Sequence, residues 1–264
     1  MKKFYIVGSL IVGVSCVLML IAFIISGFNL YDVTNYGNFT RNEFNDFQDY
    51  DIKLLDCEFI VINNNSRDDV VMEYHTSEKI DYNIEIDDIN KEVIITQIGT
   101  DTLNSIVPGA DKPLSISIPS NDLTRNINIE TLDKENVIIE VEDVNLNVIN
   151  ILTYDGKVSI DDVVATTINI QGELLIVDLH DINCQDLYVN NKEGKVKINR
   201  ANIYLLDINI DNVSCDIVLP LEQGFYILDI SLIGNSSCNY ESGGEGSIEI
   251  FIEALDSDVD FKFK

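Results

Sequence analysis

Basic residues are scarce in this chain: 17 Lys and Arg stand against 45 Asp and Glu, a net charge of −28. So negative a surface repels phosphate, which argues against nucleic acid as a partner and against direct adhesion to anionic lipid headgroups. Histidine is scarcer still. His75 and His180 are the only two, and neither has a His or Cys at the spacing of a zinc site. No Gly-rich phosphate loop, Gly-x-Ser-x-Gly elbow, EF-hand loop or repeated Gly-Gly-x-Gly-x-Asp signature occurs. Ser and Thr are abundant but lack a paired base. Catalysis needs convergent polar groups, so no enzymatic activity and no cofactor are expected. Helical periodicity is absent beyond the first thirty residues, which leaves an all-β reading for the rest.

Those first residues read as membrane. Lys2 and Lys3 precede a stretch from Phe4 to Tyr31 without a charged side chain. Roughly 20 apolar helical residues span a bilayer core, and Phe4 to Ile25 meets that length. A cleaved signal peptide is the competing reading, but its apolar region is shorter and Ile24-Ile25-Ser26-Gly27 makes a poor cleavage site. Cys16 reads as an apolar helix residue, not a lipoprotein cysteine. The positive-inside tendency keeps Lys2 and Lys3 cytoplasmic and puts the remainder outside, as a single-pass membrane protein. From Asp32 onward, 15 Lys and Arg meet all 45 acids, leaving −30 on that exterior part. The expected division is a cytoplasmic stub and anchor over 1–28, a spacer or cap over 29–51, and an extracytoplasmic β-solenoid over 52–264.

What is present is a register of nineteen residues. Val144, Val163, Ile182 and Ala201 follow it, as do Ile149, Ile168, Leu187 and Leu206. Val158, Val177, Val196 and Cys215 share it with Ile160, Leu179, Ile198 and Ile217. A fixed period of about 20 residues in a β-rich chain marks a solenoid whose rungs stack. Each rung has a first segment such as Ile149-Asn150-Ile151, a turn, a second such as Val158-Ser159-Ile160, and a corner holding Val163 and Ala165. Alternation along each strand turns Ile149 and Ile151 inward and Asn150 outward. Cys184 takes the register of Leu146, Ala165 and Ile203, and Cys215 that of Val158. Both therefore read as core residues with free thiols. The pairing state of Cys57, Cys184, Cys215 and Cys238 is otherwise open.

Before the repeat, Leu55, Cys57, Phe59 and Val61 read as one face of a strand, followed by β segments at Val70 to Tyr74, Ile80 to Ile86 and Val93 to Gln97. Leu114 to Pro119 is an alternating strand closed by proline. The rungs begin near Ile127, and Leu228 is expected 22 residues beyond Leu206 as the next rung. Ile250 and Val259 then recover the nine-residue step between the two strands of a rung, after a Ser/Gly/Asn-rich loop from Gly234 to Gly246.

With these strands in place, the chain resembles a bacterial putative-adhesin family of β-strand-repeat proteins, a domain of unknown function often found behind a membrane anchor. The resemblance spans roughly Phe47 to Lys264. It rests on Leu114-Ser-Ile-Ser-Ile-Pro119, on Leu123-Thr-Arg-Asn-Ile-Asn-Ile-Glu-Thr131, and on Gly156-Lys-Val-Ser-Ile-Asp-Asp-Val163 and Gly194-Lys-Val-Lys-Ile198. Family members commonly place Asn-Gly or Asp-Gly in each turn. Here Asp155-Gly156 and Glu193-Gly194 keep the glycine, while Leu175 and Val213 replace it, which implies altered turns in two rungs. The resemblance implies the fold and an adhesive role, and brings no catalytic or binding residues with it.

Stacking turns scattered polar residues into columns. Asp143, Asp162 and Asp181 form an acidic corner column ended by Arg200; calcium takes six to eight oxygen ligands, so this is the place for a cation if there is one, and no specific metal site is expected. Ser159, Asp178, Lys197 and Asp216 make an outward column in which Lys197 can pair with either aspartate. Asn150, Asn169, Tyr188 and Asp207 form a third outward column, suited either to a glycan through amides and a ring or to plain ladder decoration. His180 follows an inward residue and should face solvent. The expected function is a non-catalytic cell-envelope surface protein, an adhesin-like or scaffold solenoid with a glycan or membrane-protein ligand. The alternatives are a regulatory or sensory ectodomain working through a membrane partner, or a glycan-active β-helix enzyme. The last would require Arg125, Arg200 and acids to share a groove.

Overall fold

The computed structural model describes residues 38–44, 50–66, 69–76, 80–99, 113–119, 124–221 and 225–263. The expected anchor at 1–28 lies outside them, as does most of the expected spacer. Among the described residues no helix is long and apolar enough to cross a membrane.

Strands account for most of the described chain. The first group is β1 (Asn38–Phe44), β2 (Asp51–Leu55), β3 (Phe59–Asn65), β4 (Val70–Thr76), β5 (Ile80–Asp87), β6 (Glu92–Gly99) and β7 (Leu114–Pro119). The central rungs are β8 (Asn126–Thr131), β9 (Val137–Glu142), β10 (Asn145–Thr153), β11 (Asp155–Asp161), β12 (Val164–His180), β13 (Asn183–Asn199), β14 (Asn202–Asp211) and β15 (Val213–Leu219). The last group is β16 (Tyr226–Ile233), β17 (Ser237–Cys238), β18 (Ile248–Leu255) and β19 (Asp258–Phe263).

They curl into two parallel walls around one core that runs from Tyr50 to Phe261. In the first wall β6, β2, β8, β10, β12, β13, β14, β18 and β16 are successive neighbours. In the second the order is β7, β3, β9, β11, β12, β13, β15, β19 and β17. β12 and β13 are long enough to pass through both walls. The nineteen-residue register holds as pairing, with Ile149 beside Ile168, Ile168 beside Leu187, and Leu187 beside Leu206. All four are buried, as are Val144, Val163, Ile182 and Ala201 at the corner. Each fully buried aliphatic side chain contributes about 1.5–3 kcal/mol, so the repeat is its own source of stability.

Rung order departs from sequence order at both ends. β2 and β3, first in the chain among the rungs, lie between β6–β7 and β8–β9. β18 and β19, last in the chain, lie between β14–β15 and β16–β17. Leu228 therefore does not stack on Leu206; both flank Ile250. The stacked rungs begin earlier than Ile127, at the rung of Ile52 and Ile60. The expected inward face of Leu55, Cys57, Phe59 and Val61 is corrected at every position but Cys57. Asp56 takes a positive φ of 53°, the chain turns there, and Ile52, Leu54, Cys57, Ile60 and Ile62 face the core instead. Antiparallel strands close the β6–β7 end of the stack: β5 on β6, β4 on β7, and β1 on β4.

Asp and Asn supply most of the left-handed corner residues, among them Asp143, Asp162, Asp181, Asn136, Asn212 and Asp256. Their short polar side chains enter that region at lower cost than other residues. The glycine turns follow a different rule. Val137, Gly156, Leu175, Gly194 and Val213 are successive neighbours in one register. Val137, Leu175 and Val213 are buried, whereas a Cβ on Gly156 would lie 2.1 Å from the Val137 carbonyl oxygen, and one on Gly194 2.2 Å from that of Leu175. Large and absent side chains alternate along this edge. The replacements at 175 and 213 are thus core residues, and in the second case Asn212 carries the positive φ of 55°.

Candidate binding face and polar corner

The outer side of the first wall carries the column foreseen from the register. Asn150 neighbours Asn169, Asn169 neighbours Tyr188, and Tyr188 neighbours Asp207. The structure extends it in both directions, through Asn128 to Lys53 and from Asp207 to Phe251. Asn128 escaped sequence reasoning because its step to Asn150 is 22 residues, not nineteen. Asn150 Nδ2 donates to Asn128 Oδ1 at 2.8 Å, so the amides link rung to rung. A parallel link joins Asn147 Nδ2 to Asn126 Oδ1 at 2.9 Å, and Asn126 Nδ2 in turn donates to Asp51 Oδ2 at 2.9 Å.

Over this column lies an open depression of about 340 Å³, lined by Lys53, Glu92, Asn128, Asn150, Asn169 and Gln171 among others. In the link between Asn128 and Asn150, Asn150 has used one amide hydrogen and Asn128 one carbonyl lone pair, which leaves outward lone pairs on both and a second hydrogen on Asn150. Tyr188 is half-buried at the next rung. Burial first, then the carboxylates of Asp186 and Asp207, push its phenol above the ordinary value, so it stays a neutral donor. The chemistry on offer is uncharged hydrogen bonding with a ring at one end, flanked by one lysine and two glutamates.

The acidic corner column has a backbone role. Asp143, Asp162 and Asp181 have φ of 52°, 52° and 50°, and Arg200 continues them at 56°. Their amides donate to the carbonyls of Asp161, His180, Asn199 and Val218 on neighbouring rungs, at 3.1, 3.2, 3.1 and 2.9 Å. Their carboxylates do not converge. Asp143 accepts from Asn64 Nδ2 at 3.2 Å, while Asp181 pairs with Arg200 at 2.6 Å.

What does converge is Asp161, His180 and Asp181, with one ligand atom each within 4.8 Å of the others. His180 is partly exposed, and it has partners at the corner. Its Nδ1 lies 2.9 Å from Asp161 Oδ1 and 3.2 Å from Asp181 Oδ2. The cause is the register itself, which sets Asp161 and His180 side by side. Arg200 Nη2 sits 2.6 Å from both His180 Nε2 and Asp181 Oδ2. A guanidinium thus brings to these groups the positive charge that a metal would otherwise supply.

Elsewhere the polar columns pair locally. Lys197 pairs with Asp178 at 3.4 Å, and Lys195 takes Asp216 at 3.3 Å, so Lys197 is not shared between two aspartates. Arg125 is buried, donates to the Tyr50 carbonyl, and borders a small apolar void with Ile52, Met72, Ile95 and Ile116. The rungs of β10, β12 and β13 separate it from Arg200, and among the described residues no groove joins the two arginines with acids. Cys57, Cys184 and Cys215 are buried and unbridged. Burial pushes the thiols of Cys57 and Cys184 up to about 12, and that of Cys215 upward as well, which keeps them protonated and unreactive at neutral pH.

Comparison with known proteins bears on this fold. The family model described as Toastrack DUF4097 matches residues 55–223. No curated protein matches the chain. Among solved structures, that of a "putative cell adhesion protein" from Clostridium sporogenes is 14% identical, with a TM-score of 0.28, covering 86% of this chain and 99% of that one.

Proposed function

The chain belongs to the Toastrack DUF4097 family, and from that premise we propose that it is a non-catalytic binding scaffold of the cell envelope. In this reading the N-terminal segment anchors the protein, the solenoid stands outside the membrane, and the first wall holds an uncharged, hydroxyl-rich ligand of the glycan class. The observation that supports it is the asparagine column over the open depression, from Asn128 through Asn150 and Asn169 to Tyr188. Stacking repeats the amide at the strand spacing of about 4.8 Å, which gives a row of donors and acceptors to an extended polymer of hydroxyls. The net charge of −28 disfavours anionic polymers and leaves neutral or amino-bearing ones.

The test is capture of the full chain, in detergent micelles, by insoluble cell-wall glycan and separately by solubilised membrane proteins. Saturable binding to glycan, without a soluble product that grows with time, supports the scaffold. Product release overturns its non-catalytic character. Binding to a membrane protein alone overturns the glycan assignment and favours the regulatory ectodomain.

A further inference from the structure

The outward column on the first wall changes character halfway along. From Lys53 through Asn128, Asn150 and Asn169 it is a row of amides with one lysine at its end. Beyond Asn169 it runs Tyr188, Asp207, Phe251, Asp229, so that ring and carboxylate alternate from strand to strand. The two rings stand two rungs apart, about 9.6 Å at the strand spacing, with Asp207 between them. Asp207, Phe251 and Asp229 are exposed and Tyr188 is half-buried. The nineteen-residue register does not reveal this alternation, because it depends on β18 lying between β14 and β16.

Three more carboxylates share the face. Asp186 and Glu249 lie on either side of Leu205, and Glu253 lies between Asn209 and Ser231. None of the five acids has a hydrogen-bond or ion-pair partner among the described residues. Strands β14, β16 and β18 contain no lysine or arginine to supply one. Like charges gathered on one surface without a counter-charge of the chain's own raise the local concentration of positive ligands. A ring beside each carboxylate adds the negative face of its π system at the same place. It also offers a flat apolar surface on which the C–H face of a sugar can pack.

Resting on the glycan reading above, we infer that this half of the column is a subsite for the primary amines of an amino-bearing glycan. One ammonium group sits against Asp207, between the rings of Tyr188 and Phe251, and a second against Asp229 beside Phe251. The sugar hydroxyls that follow run onto the amides of Asn169, Asn150 and Asn128. The charge pattern selects this occupant. An N-acetylated sugar carries no charge and leaves the five acids as they were, while an anionic polymer is repelled. A basic protein segment would match the acids but not the amide row continuous with them.

The test uses the full chain in detergent micelles and two soluble probes of equal length, a glucosamine oligomer with free amines and its fully N-acetylated counterpart. Wild type is expected to bind the amine form about tenfold more tightly, the lower end of what one charge-assisted hydrogen bond is worth. Asp207→Asn with Asp229→Asn keeps the side-chain shapes and should bind both probes alike, at the wild-type affinity for the acetylated one. Glu140→Gln with Asp260→Asn removes the same charge from the outer side of the second wall and should keep the tenfold preference. Equal binding of the two probes by wild type overturns the amine subsite and leaves the glycan reading standing. Binding of neither overturns the glycan reading and this inference with it. A preference that survives in the first variant, or falls as far in the second, overturns the placement at Asp207 and Asp229. A lysine oligomer bound as tightly as the amine glycan overturns the glycan as occupant, in favour of a basic protein segment.

Discussion

Asn191 grips the backbone of Leu175 on the rung before it, donating from Nδ2 to the carbonyl at 3.0 Å and accepting from the amide through Oδ1 at 3.2 Å. The side chain is buried, and it stands in the register of Gly172, where the corner leaves no room for a Cβ: one would lie 2.5 Å from a Leu175 methyl. One asparagine thereby satisfies two buried peptide groups that the corner would otherwise strand. Asn191→Leu is expected to remove both bonds and cost about 2–4 kcal/mol, since each orphaned buried group costs roughly 1–3 kcal/mol. A urea unfolding curve measures it; a loss under about 1 kcal/mol would mean that water replaces the amide.

Gly156 makes a second prediction. Its φ is 148°, and a Cβ added there would stand only 2.1 Å from the Val137 carbonyl oxygen, so Gly156→Ala forces two adjacent rungs apart. The expected loss is about 2 kcal/mol or more, beyond the ordinary range of an exposed substitution. Gly243→Ala, strained in φ but open in space, should cost less than Gly156→Ala. Thermal melts of the two variants side by side decide it, and equal losses would show that backbone conformation, not close approach, sets the glycine requirement.

Buried thiols make stability depend on alkaline pH. Cys57 and Cys184 titrate near 12 in the fold against an ordinary 9.0. Between those values the unfolded chain has released the proton and the folded chain has not, so stability falls as pH rises from 9.0 and is unaffected by these groups below it. The slope is roughly 1.4 kcal/mol per pH unit for each such thiol. Urea midpoints of wild type and Cys184→Ala from about pH 8 to about pH 11 check it. The variant should lose less stability over that range, and parallel curves would contradict the assignment.

The central rungs are legible in the sequence because stacking demands repetition. Position 215 has to be core once Val158, Val177 and Val196 are, and Asn150, Asn169, Tyr188 and Asp207 have to share a face. Rung order at the ends is not legible. A period states that Leu206, Leu228 and Ile250 are equivalent; it says nothing about which is the neighbour of which, and the choice is made by corner contacts such as Ser257 with Val213. The turn at Asp56 is hidden for a related reason. Leu55, Cys57, Phe59 and Val61 keep an alternation that a positive φ interrupts, and aspartate signals that conformation more weakly than glycine does. At the corner, two partners of His180, Asp161 and Arg200, lie 19 and 20 residues away in sequence and meet it only through the stacking of rungs.

The asparagine face is tested most directly by measuring glycan affinity of the full chain against that of Asn150→Leu with Asn169→Leu, using Lys195→Ala on the opposite wall as the control. Each lost hydrogen bond to a ligand hydroxyl is worth about 0.5–1.5 kcal/mol, so the double variant should bind about tenfold more weakly with an unchanged melting temperature. The control should bind as wild type does. Equal affinity of the double variant, or an equal loss in the control, would contradict the assignment of the ligand to the first wall.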